Sequence, residues 1–217
     1  MNLAESTQSN LVKLCENPKI SQLLEEVKSW GKAAVFGGAV RDWSFGNQPR
    51  DIDVVVDCPS QALDALIKYK AKKNRFGGYK LTLDKVEFDI WNLDSTWAFG
   101  NDPKFSKKLE TIPQTVFLNV DAVAYCLDDK AILDKGFTKA MESRVLDIVY
   151  EPNPYPYLCV SKSLVALKKY DMKASPRLRS FIRDQEGRGY TAKSFNVYQK
   201  VQYGDTVLDY TDCMNRV

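Results

Sequence analysis

The stretch FGGAVRDWSFGNQPRDIDVVVD, Phe36 to Asp57, limits what this chain can fold into more than any other part of it. AAVF (33–36) reads as a short buried strand that runs into Gly37-Gly38, and residues 39–45 as a brief helix ending near Gly46. DIDVVV (51–56), rich in β-branched residues, reads as a second strand. Strand alternation puts Asp51 and Asp53 on one face and Ile52, Val54 and Val56 on the other. Two ionised carboxylates this close repel each other, which is costly unless a cation stands between them. Magnesium suits the place, because it takes oxygen ligands and usually combines one or two carboxylates with substrate phosphates. Glu87 and Asp89 share a face of a later strand, and either offers a third carboxylate.

Upstream of the carboxylates, Gly37 and Gly38 let a phosphate approach main-chain N–H groups at the start of a helix. Arg41 and Arg50 are placed to add charge-assisted contacts to phosphate oxygens. Glycine pair, paired carboxylates and a later carboxylate form a layout for metal-assisted phosphoryl or nucleotidyl transfer, which works by positioning and charge neutralisation. The chain contains no histidine, so Ser-His-Asp, Cys-His and H-E-x-x-H chemistry are excluded. Its five cysteines (Cys15, Cys58, Cys126, Cys159 and Cys213) are scattered without a C-x-x-C pair. That pattern fits reduced thiols rather than a disulfide framework or a zinc site. A net charge of +3 permits a polyanionic partner without demanding one. No apolar run is long enough to span a bilayer, and the opening MNLAESTQSNLVKLCENPK is too polar for a secretory leader. A cytoplasmic protein without a membrane partner is therefore expected.

The rest of the chain reads as a mixed α/β part followed by helices. Ile20, Leu23, Leu24 and Val27 have helical spacing. Pro59-Ser60 opens a helix expected to bury Leu63, Leu66 and Ile67. KYKAKKNRFGG (68–78) is a basic segment that reads as a solvated helix end, with RNA phosphates as its functional alternative. YKLTLDKVEFDIW (79–91) reads as a hairpin turning near Asp84-Lys85, and residues 102–114 as a polar loop. TVFLNVDAVAYCL and AILD suggest further strand or strand–helix structure, and helices are expected at 136–146, 158–170, 176–185 and 193–203. YEPNPYPY (150–157), with three prolines, marks the boundary, giving domains of 1–149 and 150–217. Trp91, Trp97 and Phe99 offer stacking surfaces, although aromatics this dense more often fill a core.

GGAVRD, FGN and RDIDVVV together resemble the nucleotidyltransferase head of the tRNA CCA-adding enzyme and bacterial poly(A) polymerase family, whose signature runs G-G-x-V-R-D, a short helix ending in glycine, then D-x-D. FLNVDAVAYCLDDKAILD is similar to the segment that follows the family's Arg-Arg-Asp-Phe motif, and CVSKSLVALKKYDMKASPRLRSFI to its helical neck. The resemblance implies an α+β fold: a polymerase-β-like mixed sheet flanked by helices, then a small helical neck-like region. It implies two Mg2+ ions held by Asp51 and Asp53, with Asp89 as third carboxylate and Glu87 as its substitute. It implies that Gly37, Gly38 and Arg41 meet the triphosphate of an NTP, with Arg50 beside them. Three departures stand out. PQTVFLN (113–119) replaces Arg-Arg-Asp-Phe-Thr-Ile-Asn, keeping Asn119 and putting Thr115 at the aspartate. The neck's Glu-Asp-x-x-Arg has no counterpart, and Lys162, Val165 and Lys168 stand where the family has arginines.

The expected activity is therefore transfer of a nucleoside monophosphate from an NTP to a hydroxyl acceptor, with an RNA or tRNA-like 3′ end favoured over CCA addition itself. The alternatives are a catalytically silent nucleotide-binding regulatory module, or a toxin- or defence-type enzyme that modifies tRNA or a protein. KKYDMKASPRLRSFIR (168–183), holding six lysines and arginines, is the expected nucleic-acid face.

Overall fold

A computed structural model describes residues 2–217, which form two compact units. The first unit holds the chain up to Thr115 together with Asp121–Lys135; the second holds Val116–Val120 and Gly136–Val217. In chain order the first contains α1 (Leu3–Cys15), α2 (Pro18–Trp30), β1 (Ala33–Phe36), α3 (Gly38–Ser44) and β2 (Asp51–Val56). A 3₁₀ helix (Ser60–Tyr69) leads to β3 (Lys72–Lys73), β4 (Tyr79–Leu83), β5 (Val86–Asn92) and α4 (Trp97–Asn101). A second 3₁₀ helix (Leu109–Gln114), β6 (Val123–Cys126) and β7 (Ile132–Asp134) complete it.

Its strands make one seven-stranded sheet in the order β3-β4-β5-β2-β1-β6-β7. Every pairing is antiparallel except β2 with β5, so the sheet is mixed, as the α+β reading requires. β4 and β5 join through Asp84 and Lys85, both at positive φ (45° and 74°), which is what a two-residue hairpin turn of the right twist needs. Ile52, Val54 and Val56 are at most 1% exposed and share a face with Phe88 and Ile90 of β5. Ile20, Leu23, Leu24 and Val27 of α2 are all buried, as their spacing predicts.

Three local expectations are corrected. The segment after Pro59 is a 3₁₀ helix, whose three-residue turn aligns Leu63 with Leu66 and leaves Ile67 59% exposed. Part of the expected polar loop is the buried 3₁₀ helix at 109–114, where Leu109 and Ile112 enter the core. The expected helix at 136–146 stops at Ser143, because Arg144 takes a left-handed φ of 55° and Val145–Leu146 become a strand.

The second unit comprises α5 (Phe137–Ser143), β8 (Val145–Leu146), α6 (Pro156–Lys169), β9 (Lys173–Ala174), α7 (Pro176–Gly187), α8 (Ala192–Tyr203) and α9 (Tyr210–Met214). α6 is its axis: Val160, Leu164, Val165 and Leu167 join Leu146, Met172, Leu178, Ile182 and Phe195 in one core. The serines of α6 that enter this core are satisfied. Ser163 donates to the Cys159 carbonyl (2.8 Å), and Ser161 meets the Tyr190 hydroxyl at 2.7 Å. Asn119 staples the unit by donating its amide to the Val145 carbonyl and accepting from the Asp147 N–H, both at 3.0 Å.

Candidate active site

The carboxylates come together through the parallel β2–β5 pair. Its register sets Asp51 opposite Glu87 and Asp53 opposite Asp89. Registered neighbours project to the same side of a sheet, so all four acids share one face. They differ in surroundings. Glu87 is exposed, whereas Asp89 keeps 20% of its side chain exposed and Asp51 22%. Burial raises the Asp89 carboxyl above its ordinary value, the Lys80 ammonium opposes that shift, and the charge of Asp51 adds to it.

Cationic side chains already stand on two of these acids. The Arg50 guanidinium donates to Asp51 at 2.7 Å, and the Lys80 ammonium lies 3.4 Å from Asp89. Asn74 donates its amide to the other Asp89 oxygen at 3.3 Å and is itself held as acceptor by the N–H groups of Phe76 and Gly78. Lys80 and Asn74 escaped the sequence reading. For Lys80 the signal was its strand alternation, which puts it on the face of its β5 partner Asp89.

On the other side of β2, Phe36 ends β1 opposite Asp53 and the chain turns at Gly37. Gly37 has φ +59° and ψ −111°, a conformation that L side chains rarely adopt. Its N–H donates to the Val123 carbonyl at 2.8 Å, so this amide serves the sheet. A Cβ at Gly38 would lie 3.4 Å from the Arg41 guanidinium, an ordinary contact, so packing alone does not require the second glycine. Arg41 is 16% exposed and donates to Asp42 (3.1 Å) and to Asp121, two carboxylates that fix its plane. Sequence reasoning left Asp42 open and did not single out Asp121, which lies 80 residues along the chain from Arg41.

All the acids named for the site bind through oxygen, which suits a hard divalent cation such as magnesium. Among the described residues no three Asp, Glu or Cys side chains form a ready metal cage. Two carboxylates do not need one, since magnesium keeps waters and substrate phosphates as its remaining ligands. The repulsion between Asp51 and Asp89, now balanced by Arg50 and Lys80, marks a place that calls for positive charge.

The other residues singled out from the sequence have structural employment. Phe36 and Trp91 meet edge to face at 6.1 Å, Trp91 donates to Thr96 (3.2 Å), and Phe99 lies in the core. The Thr115 hydroxyl donates to the Ile112 carbonyl (2.8 Å), Val165 is a core residue, and Lys168 pairs with Asp212 (3.4 Å). In the basic tail, Arg177 pairs with Glu151 at 3.1 Å and Arg179 donates to the Ala174 carbonyl at 3.2 Å. All five cysteines are free; burial pushes Cys58 and Cys126 up to about 11 and Cys159 to about 12, which leaves them poor nucleophiles at neutral pH. Among the described residues no helix is long and apolar enough to cross a membrane.

No protein-family model matches the chain, and no curated protein matches it by sequence. Solved structures do. A CCA-adding enzyme in complex with CTP superposes with a TM-score of 0.63 at 16% identity, over 92% of this chain and 50% of that one. The Thermotoga maritima CCA-adding enzyme complexed with tRNA gives 0.63 at 17%, over 88% and 48%. A tRNA nucleotidyltransferase complexed with a primer tRNA and an incoming ATP analogue gives 0.57 at 16%, over 78% and 52%. The likeness is one of fold, the fold that the sequence motifs led one to expect. The chain spans about half the length of these neighbours.

Proposed function

We propose that this chain is a metal-dependent nucleotidyltransferase that moves a nucleoside monophosphate from an NTP to a hydroxyl on an RNA 3′ end. The observation that carries the reading is the β2–β5 register, which aligns Asp53 with Asp89 on the face that bears Asp51. The fold shared with enzymes whose structures hold CTP, an ATP analogue and tRNA supports nucleotide and RNA as substrates. CCA addition itself is not part of the proposal, since the base-reading motif is missing and Thr115 replaces the expected aspartate. Residues 1–149 are read as the catalytic head and 150–217 as a neck-like region.

In this scheme Asp51, Asp53 and Asp89 hold two magnesium ions, with Glu87 the substitute for Asp89. Bound there, the ions supply charge neutralisation on the phosphates and lower the pKa of the attacking hydroxyl. Arg41, held rigid by Asp42 and Asp121, orients the triphosphate, Gly37 and Gly38 leave room for it, and Arg50 swings from Asp51 to a phosphate oxygen. The acceptor oxygen forms a bond to the α-phosphorus, the bond to the β-bridging oxygen breaks, and pyrophosphate leaves with the electron pair. The acceptor's proton passes to the carboxylate set and then to water.

Transfer of label from α-labelled NTPs to total RNA, with magnesium present, tests the proposal. Asp51→Ala with Asp53→Ala is expected to lower the rate by about 10²- to 10³-fold, the range seen when a positioned charge-stabilising group is removed. Full transfer by that variant would refute the assignment. A second reading, a nucleotide-binding module without turnover, is favoured by the cations that Asp51 and Asp89 already hold. Its mark would be NTP binding by the native chain with no transfer to any acceptor.

A further inference from the structure

The basic segment 68–78 does not act as one unit. Lys68 is bound to Glu26 at 2.8 Å and Lys73 faces Asp64 at 3.8 Å. Lys70 and Lys72 have no ion-pair partner among the described residues. With Lys80 they line a cavity of about 400 Å³ whose wall also includes Thr82, Asp51 and Glu87.

Two local features shape this cluster. Lys72 and Lys80 sit directly opposite each other in the antiparallel β3–β4 pair, where like charges destabilise. Lys70 occupies a left-handed conformation (φ 59°, ψ 27°), fixed by its N–H donating to Ile67 at 2.9 Å, at a position where glycine would be less strained. Lys70 and Lys72, with Lys80 shared by Asp89 beside them, are brought to one concavity and form a seat for phosphate oxygens.

The topology tells which phosphate. β2 has the glycine turn and Arg41 beyond its β1 side, and the lysine cavity beyond its β5 side. The cavity reaches Asp51 itself. We infer that the Lys70–Lys72–Lys80 cavity binds the phosphodiester backbone of a single-stranded nucleic acid, on the side of the carboxylates away from the glycine turn. Naming that strand as the acceptor rests on the transfer reading above; the binding itself does not.

The test is fluorescence anisotropy of a fluorescein-labelled single-stranded RNA against the full chain, in EDTA and without NTP, over a range of salt. Lys70→Ala with Lys72→Ala is expected to weaken binding about tenfold or more near 0.1 M salt and to flatten the log–log salt slope by about 1.4, at ~0.7 per lost contact. Lys70→Arg with Lys72→Arg is expected to keep the affinity, and the charge-matched Lys13→Ala with Lys32→Ala to change it little. Unchanged RNA affinity in the first variant would overturn the inference. So would an equal loss in the charge-matched control, or a loss confined to a fluorescent ATP analogue. Because no turnover is measured, lysine-dependent RNA binding would stand even if the transfer assay failed.

Discussion

On the face of the sheet that carries the carboxylates, the two ends of β2 have opposite characters. Val55 is fully buried among Ala34, Ala124, Leu93, Phe99, Leu109 and Ile112. Two residues earlier on the same face stands Asp53, and two before that Asp51, both half-buried. The strand does not change between these points; its cover does. α4 and the 109–114 helix lay apolar side chains over one end, the Phe36–Trp91 pair closes the edge of that cover, and acids occupy the face beyond it. A charge is tolerated here according to what lies above the strand, so a cluster of acids can sit in the middle of a sheet at the rim of its own core.

That contrast can be broken most violently by moving the acid two residues along. Val55→Asp keeps the face but enters the covered half, where an unpaired charge costs several kcal/mol. Against a total stability of about 5–15 kcal/mol, this is expected to abolish or nearly abolish the cooperative urea transition. The two faces of β5 give a milder comparison. Phe88→Ala, on the apolar face at 2% exposure, is expected to cost about 3–5 kcal/mol, and its neighbour Glu87→Ala to stay within about 0.5 kcal/mol. Denaturant midpoints of the two variants check it.

The smallest effect sharpens the comparison. Burial raises the Asp89 carboxyl, so between its unfolded and folded values the native protein holds more protons than the unfolded chain. Stability contributed in this way is present below the ordinary carboxylate value and is lost as pH rises through the raised one. Asp89→Asn removes that decline. With a chelator present it is expected to be as stable as the native chain or more so, by under about 1 kcal/mol at pH 7. A clear loss of stability at pH 7 would contradict this.

Legibility followed the range of the interaction. β1 and β2 match the predicted spans, and the 79–91 hairpin turns at the predicted pair, because alternation and turn chemistry act over a few residues. α1 was missed since its buried residues include Ser6 and Thr7 beside Leu11, which hydrophobic periodicity does not register. Its signal was the capping box of Asn2 and Glu5, each side chain meeting the other's N–H. The 3₁₀ winding of 60–69 misplaced Ile67, because the helical pattern assumed 3.6 residues per turn. At the site, Asp51 and Asp53 declared themselves through spacing. Asp121 and Lys80 did not, since their roles come from contacts the folded sheet alone creates. Between Glu87 and Asp89, the difference in exposure appears only once β5 is paired and packed.

The lone parallel pairing in the sheet also bears on when the site exists. β4 and β5 meet across a two-residue turn, a local contact, whereas β2 and β5 are joined by a long connection through the 60–69 helix, β3 and β4. Closing that separation costs more chain entropy than closing the two-residue turn. Asp53 and Asp89 therefore become neighbours only once that longer loop has closed, and a chain in which β2 and β5 have not yet paired presents isolated acids in place of the completed site.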